Sequence, residues 1–183
     1  MRGLHISPGF WLTVGGIWLV EPELLAPALF AAAVHECGHL IALALVGGRA
    51  EGFTLAASGA QIWLGGGLSY ARELPVALGG PLASLALALI LANCARFLAA
   101  GLSLALGLFN LLPLPPLDGG RVVSCLGGIF LPPLAAERLS QTLSAVTLSG
   151  LVALGLASLR AGFGVPLLTM ALWLGWRTLS RPT

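Results

Sequence analysis

The sequence predicts an all-α polytopic membrane protein of about six transmembrane helices, with a small membrane-inserted β-hairpin between two of them. Three observations lead there: 57% of the 183 residues are hydrophobic, 9% are charged, and charge-poor runs of spanning length recur along the chain. An ordinary soluble domain carries about a quarter charged residues. All nine basic residues are Arg and the seven acids are scattered, so no charge run exists that could track a nucleic-acid backbone. The net charge of +2 therefore carries no nucleic-acid meaning. Cys37, Cys94 and Cys125 lack CxxC spacing and lie in or beside apolar runs, so they read as small buried hydrophobes without a disulfide framework.

A helix needs about 20 apolar residues to cross ~30 Å of hydrocarbon. Six runs answer to that, at roughly 5–20, 24–46, 74–95, 97–117, 139–159 and 161–178, the first and last being short. Short cytoplasmic loops are enriched in Arg. With the amino terminus inside, Arg2, Arg49, Arg72, Arg121, Arg138, Arg177 and Arg181 fall on the cytoplasmic side, against Arg96 and Arg160 on the other. That asymmetry puts both termini in the cytoplasm. Arg2, the apolar stretch from Ile6 to Val20 and Ala26-Pro27-Ala28 imitate a cleavable signal, but the chain passes directly into another hydrophobic run, which favours a retained segment.

Between Gly47 and Arg72 glycines punctuate two short stretches, Phe53–Ala57 and Ala60–Leu64, with Ser58-Gly59 as a candidate hairpin turn. Non-helical backbone at membrane depth survives where it is buried in protein or lines a wet cavity. Val122 to Ala136 is apolar but interrupted by Gly127-Gly128 and Pro132-Pro133; it reads as a cytoplasmic-side surface or re-entrant segment. Trp11, Trp18, Trp173 and Trp176 near the ends of outer runs read as interfacial anchors, as does His5 near the amino terminus.

The second run contains His35-Glu36-Cys37-Gly38-His39, an HExxH pattern. A helix turns about 100° per residue, so His35 and His39 lie about 40° apart on one face and can share one metal. Glu36 lies close to that face and can act as general base toward an attacking water. Cys37 lies about 200° round from His35 and points away. Ionisable groups at membrane depth cost at least ~2.5–3.5 kcal/mol each by insertion scales, so three polar groups within five residues require compensation, which a metal site supplies. A polar cluster that merely glues helices together is the plain alternative.

Catalytic zinc takes three protein ligands and keeps a fourth position open. Besides Glu36, the buried-looking acid is Asp118, in the stretch Asn110-Leu111-Leu112-Pro113-Leu114-Pro115-Pro116-Leu117-Asp118-Gly119-Gly120; Glu21, Glu23, Glu51, Glu73 and Glu137 fall in loops or at helix ends. Three prolines unwind the chain there, and the glycines free the backbone beside the carboxylate. The arginine count brings the second and fourth runs across in the same direction. His39 and Asp118 then both fall toward the cytoplasmic end. An amide at Asn110 offers donor and acceptor to a substrate backbone or developing oxyanion without adding charge. Arg121 reads as a headgroup-facing positive-inside residue.

With these residues in view, the chain resembles the site-2 protease family of intramembrane zinc metalloproteases (peptidase family M50), and in particular its short bacterial branch, similar to stage IV sporulation protein FB. His35-Glu36-x-x-His39 matches one family signature. Asn110, Pro113, Asp118 and Gly119 match the Asn-x-x-Pro-x-x-x-x-Asp-Gly signature. Gly79-Gly80-Pro81-Leu82-Ala83 is a weaker third match, with Ser84 where an Asn is expected, so a helix-to-helix contact by that side chain is in question.

The resemblance covers roughly 24–121 and implies a three-helix catalytic core, one Zn2+ per chain, an active site opening to the cytoplasm, and a hairpin presenting substrate. The whole of 1–183 reads as one membrane metalloprotease domain, with flanking helices at about 5–20, 139–159 and 161–178 and no PDZ or CBS domain. The implied partners are the lipid bilayer, a single-pass or membrane-anchored protein substrate, and a regulatory membrane protein of unspecified kind; the implied location is a bacterial cell membrane. Two other readings compete. A metal carrier or metal-dependent scaffold would use the ligands but not Glu36. A rhomboid-type serine protease would need a Gly-x-Ser-Gly nucleophile, which Ser58-Gly59 does not complete.

Overall fold

The computed structural model describes residues 4–56, 59–64, 66–162 and 164–179. Its elements run β1 (Leu4–Ile6), α1 (Pro8–Val20), α2 (Pro22–Leu45), β2 (Ala50–Ala56), β3 (Gly59–Leu64), α3 (Tyr70–Asn93), α4 (Phe97–Asn110), α5 (Asp118–Phe130), α6 (Pro133–Arg160) and α7 (Pro166–Leu179). The chain forms two compact units, Met1–Phe109 and Asn110–Thr183.

In the first unit α2 packs against α3. The backbones come close because small residues face each other: a Cβ on Gly38 would run into the Gly79 carbonyl and Ala83, and one on Gly79 would lie 2.9 Å from the Ala42 Cβ. Small residues are what allow helices to approach closely without a water-driven force between them. α4 joins through Gly107, whose missing Cβ would lie 3.1 Å from that of Ser84 and 3.2 Å from the Pro81 carbonyl.

The sheet has the order β1-β2-β3. β2 and β3 are antiparallel, with Phe53 opposite Ile62 and Thr54 opposite Gln61, and β1 runs parallel to β2 with Leu4 opposite Phe53. The anticipated turn at Ser58 lies outside the described residues, as does the side chain of His5. The opening run is therefore not helical throughout. It starts as a strand and becomes helix at Pro8, whose missing N–H costs nothing in a first helical turn.

The second unit differs more from expectation. The fourth run stops being helix at Asn110, seven residues short of 117, because Pro113, Pro115 and Pro116 cannot donate helix hydrogen bonds. The segment read as broken, 122–136, is instead continuous helix to Phe130, and the break falls at Leu131-Pro132. Gly127 serves packing there: its absent Cβ would lie 2.9 Å from the Ala136 Cβ, so α5 and α6 close on each other.

Among the described residues three helices, α2, α3 and α6, are long and apolar enough to cross a membrane, where six spans were expected. Among the described residues α1, α4 and α7 have 13 or 14 residues, about 20 Å at 1.5 Å per residue and short of ~30 Å of hydrocarbon. The spanning-length helices turn apolar side chains outward, including Ile41, Leu45, Leu89, Ile90, Val146 and Leu154. Trp11, Trp18, Trp173 and Trp176 are exposed as expected of anchors. The cysteine reading needs correction: Cys125 is buried, but Cys37 and Cys94 are exposed. Cys37 sits on the side of α2 away from α3, where a small apolar side chain has no reason to be covered by protein.

Candidate metal centre

The two histidines of α2 are 4% and 5% exposed and turn toward α3. Their Nε2 atoms lie 3.2 Å apart, with the rings nearly perpendicular at 80°. The other ring nitrogen of each is engaged by α3. His39 Nδ1 lies 2.7 Å from the Val76 carbonyl oxygen, and His35 Nδ1 lies 2.9 Å from Ser84 Oγ. A carbonyl can only accept, and at 2.7 Å it outweighs the Gly80 N–H, which lies 3.4 Å from the same nitrogen, so Nδ1 of His39 carries the proton and Nε2 presents a lone pair. The contacts pair 35 with 84 and 39 with 76, which makes α2 and α3 antiparallel.

Gly80 lies between those two contacts on α3. A Cβ there would overlap His39 Nε2 and come within 2.7 Å of His35 Nε2. A bare Cα thus leaves room where the two nitrogens converge. Zinc–nitrogen bonds of ~2.0–2.1 Å in tetrahedral geometry put two ligand nitrogens about 3.3 Å apart. The observed separation fits that edge. Glu36, next in sequence to His35, is half-buried, and Cys37 is exposed, as the helical angles require.

In the second unit Asp118 is the first residue of α5 and is 8% exposed. Its position depends on the loop before it. Leu117 N–H donates to the Leu114 carbonyl at 2.8 Å, and Leu114 is fully buried. The loop folds back over the start of α5 so closely that a Cβ on Gly119 would strike the carbonyls of Leu111 and Leu112, and one on Gly120 would lie 2.7 Å from Pro115 N. Two hydroxyls tie the loop down: Thr178 of α7 shares its proton between the Pro115 carbonyl at 2.9 Å and the Leu174 carbonyl of its own helix at 2.8 Å, and Ser144 of α6 donates to the Pro113 carbonyl at 3.4 Å. Arg121, expected to face headgroups, lies 3.7 Å from Asp118 with a 38% exposed side chain. It is both half-exposed and paired to the acid one helical turn behind it. Asn110 ends α4 and is half-buried.

Sequence reasoning singled out the histidines and the acid but missed the groups that hold them. Ser84 was in question as a helix contact; it is fully buried and bonds His35. Val76, Gly80 and Ser84 recur every four residues, a period that could have marked one face of α3. Nothing in the sequence pointed to Thr178 or Ser144.

A family model, Peptidase family M50, matches residues 93–154. In Mycobacterium tuberculosis, strains Erdman and H37Rv, the protein Rip3, described as a zinc metalloprotease, is 32% identical over 190 residues, which take in 90% of this chain and 47% of Rip3. The chain thus spans about half the length of those relatives. Among solved structures, the site-2 protease from Methanocaldococcus jannaschii superposes with a TM-score of 0.73 at 20% identity, covering 100% of this chain and 93% of that one. With the family-model match and the relationship to Rip3, the HExxH helix with its histidines aimed at a facing helix and the Asp-Gly turn behind a proline loop make the chain a member of peptidase family M50, an integral membrane protein whose fold is that of a site-2 protease.

Proposed function

We propose that the chain is an intramembrane metalloprotease, hydrolysing peptide bonds of transmembrane or membrane-anchored proteins in or near the cytoplasmic leaflet, with one zinc ion held by His35, His39 and Asp118. The observation that carries this reading is the convergence of two buried Nε2 atoms at 3.2 Å, each ring already fixed through its Nδ1. Two imidazoles and one carboxylate, all buried, are a donor set suited to zinc that leaves a fourth position open. Zinc bound there supplies Lewis acidity, polarising a carbonyl and lowering the pKa of water toward ~7.

Glu36 takes the proton of the attacking water and passes it to the leaving amine, so hydrolysis needs no covalent intermediate. Asn110 hydrogen-bonds the substrate backbone or the developing oxyanion. A substrate helix hides its carbonyls in its own hydrogen bonds and must unwind before cleavage. β3 ends the sheet, and strand addition along it offers backbone partners to the unwound segment. The arginine distribution supports both termini in the cytoplasm of a bacterial cell membrane, with residues 24–121 as the catalytic core of a single domain.

The test is co-expression with tagged single-pass membrane proteins, comparing wild type with Glu36→Gln and measuring zinc in both purified proteins. Wild type is expected to cleave, Glu36→Gln to lose at least about 100-fold, and both to hold zinc. Equal cleavage by the two would reject the enzyme reading. Zinc in both without cleavage in either would favour a metal carrier.

A further inference from the structure

Ser84 is fully buried on α3, and α4 closes over it at Gly107. Its hydroxyl oxygen lies 2.9 Å from His35 Nδ1, in a place where no solvent competes for either group. A neutral imidazole has one donor nitrogen and one acceptor nitrogen. Whichever group faces Nδ1 therefore decides whether Nε2 carries a proton or a lone pair. On His39 that decision is made by the Val76 carbonyl, which can only accept. On His35 it falls to a hydroxyl, which can accept or donate and so controls the ring less rigidly.

We propose that Ser84 is the positioning residue for His35: it accepts a hydrogen bond from the Nδ1–H, holds the ring at its angle to His39, and so keeps the Nε2 lone pair aimed at the metal. The proposal rests on the metal site described above. α3 then supplies three successive devices at four-residue spacing: a carbonyl at Val76 for His39, a bare Cα at Gly80 to make room, and a hydroxyl at Ser84 for His35. Partners of this outer kind commonly contribute 10–100-fold in metal affinity.

The experiment compares wild type, Ser84→Ala, Ser84→Thr and Ser103→Ala in detergent, measuring zinc affinity by chelator competition and the visible spectrum of the cobalt-substituted protein. Ser103 is the control, a fully buried serine that bonds the Ala99 carbonyl of its own helix. Ser84→Ala is expected to weaken zinc about 10- to 100-fold and alter the cobalt spectrum. Ser84→Thr should restore most of the affinity, and Ser103→Ala should leave it unchanged. Wild-type affinity and spectrum in Ser84→Ala would overturn the role of Ser84 alone, whereas a wild-type protein that binds neither metal would refute the site and the role together. Should Ser84→Ala fail to fold, Ser84→Cys keeps the volume with a weaker acceptor. A loss of affinity there supports the proposal, and unchanged affinity overturns it.

Discussion

The two units hold their proposed metal ligands by different means. His35 and His39 are one turn apart on a regular helix, so their common direction follows from helical geometry, and α3 has only to fix their rings. Asp118 stands at the first turn of α5 behind a loop with three prolines, and its direction depends on the loop's path, which hydroxyls from α6 and α7 secure. A ligand pair on a helix is robust to distant change and sensitive to the facing helix. A ligand at a loop is sensitive to ties far away in sequence.

The sharpest way to break the first half of that comparison is Gly80→Ala. The new methyl would occupy the space of both Nε2 atoms, so zinc affinity is expected to fall by more than about 100-fold, beyond the loss of an outer partner. Chelator competition measures it; unchanged affinity would mean that the rings do not meet at Gly80. The second half is tested by Gly119→Ala, whose methyl meets the Leu111 and Leu112 carbonyls. Overpacking against backbone is expected to destabilise by about 1–3 kcal/mol, read from the unfolding midpoint in detergent.

Thr178→Val removes the hydroxyl bond that the Pro115 and Leu174 carbonyls share while keeping the shape. A loss of about 0.5–1.5 kcal/mol is expected from that bond, with a smaller drop in zinc affinity than Gly80→Ala produces. An equal drop would erase the contrast between direct and remote support. Cys37→Ala is expected to change stability by less than about 0.5 kcal/mol and zinc binding not at all. Loss of zinc there would mean that the exposed side of α2 takes part in the centre.

How much of this was legible beforehand follows the same division. The HExxH helix was readable because a spacing of four is itself a statement of direction in a helix. The unwinding at 111–117 was readable because proline has no N–H. The helix ends were harder: α4 ends at Asn110, and α5 continues through Gly127-Gly128. A glycine pair reads as a break until a neighbour such as Ala136 shows that it is a contact. The expected burial of Cys37 and Cys94 failed because an apolar side chain in a membrane protein has two apolar surroundings to choose from, protein and lipid. Composition does not separate them.

By itself, then, the sequence determined the apolar character of the chain, the paired histidines with Glu36 beside them, and the proline-to-aspartate turn, because each depends on covalent structure or on neighbours within one helical turn. Tertiary structure decided which groups face those residues: Val76, Gly80 and Ser84 against the histidines, and Thr178 and Ser144 on the loop carbonyls. Those partners lie 31 to 63 residues away in sequence. No local rule of spacing reaches that far; only the packing of one helix on another brings such groups within hydrogen-bond distance.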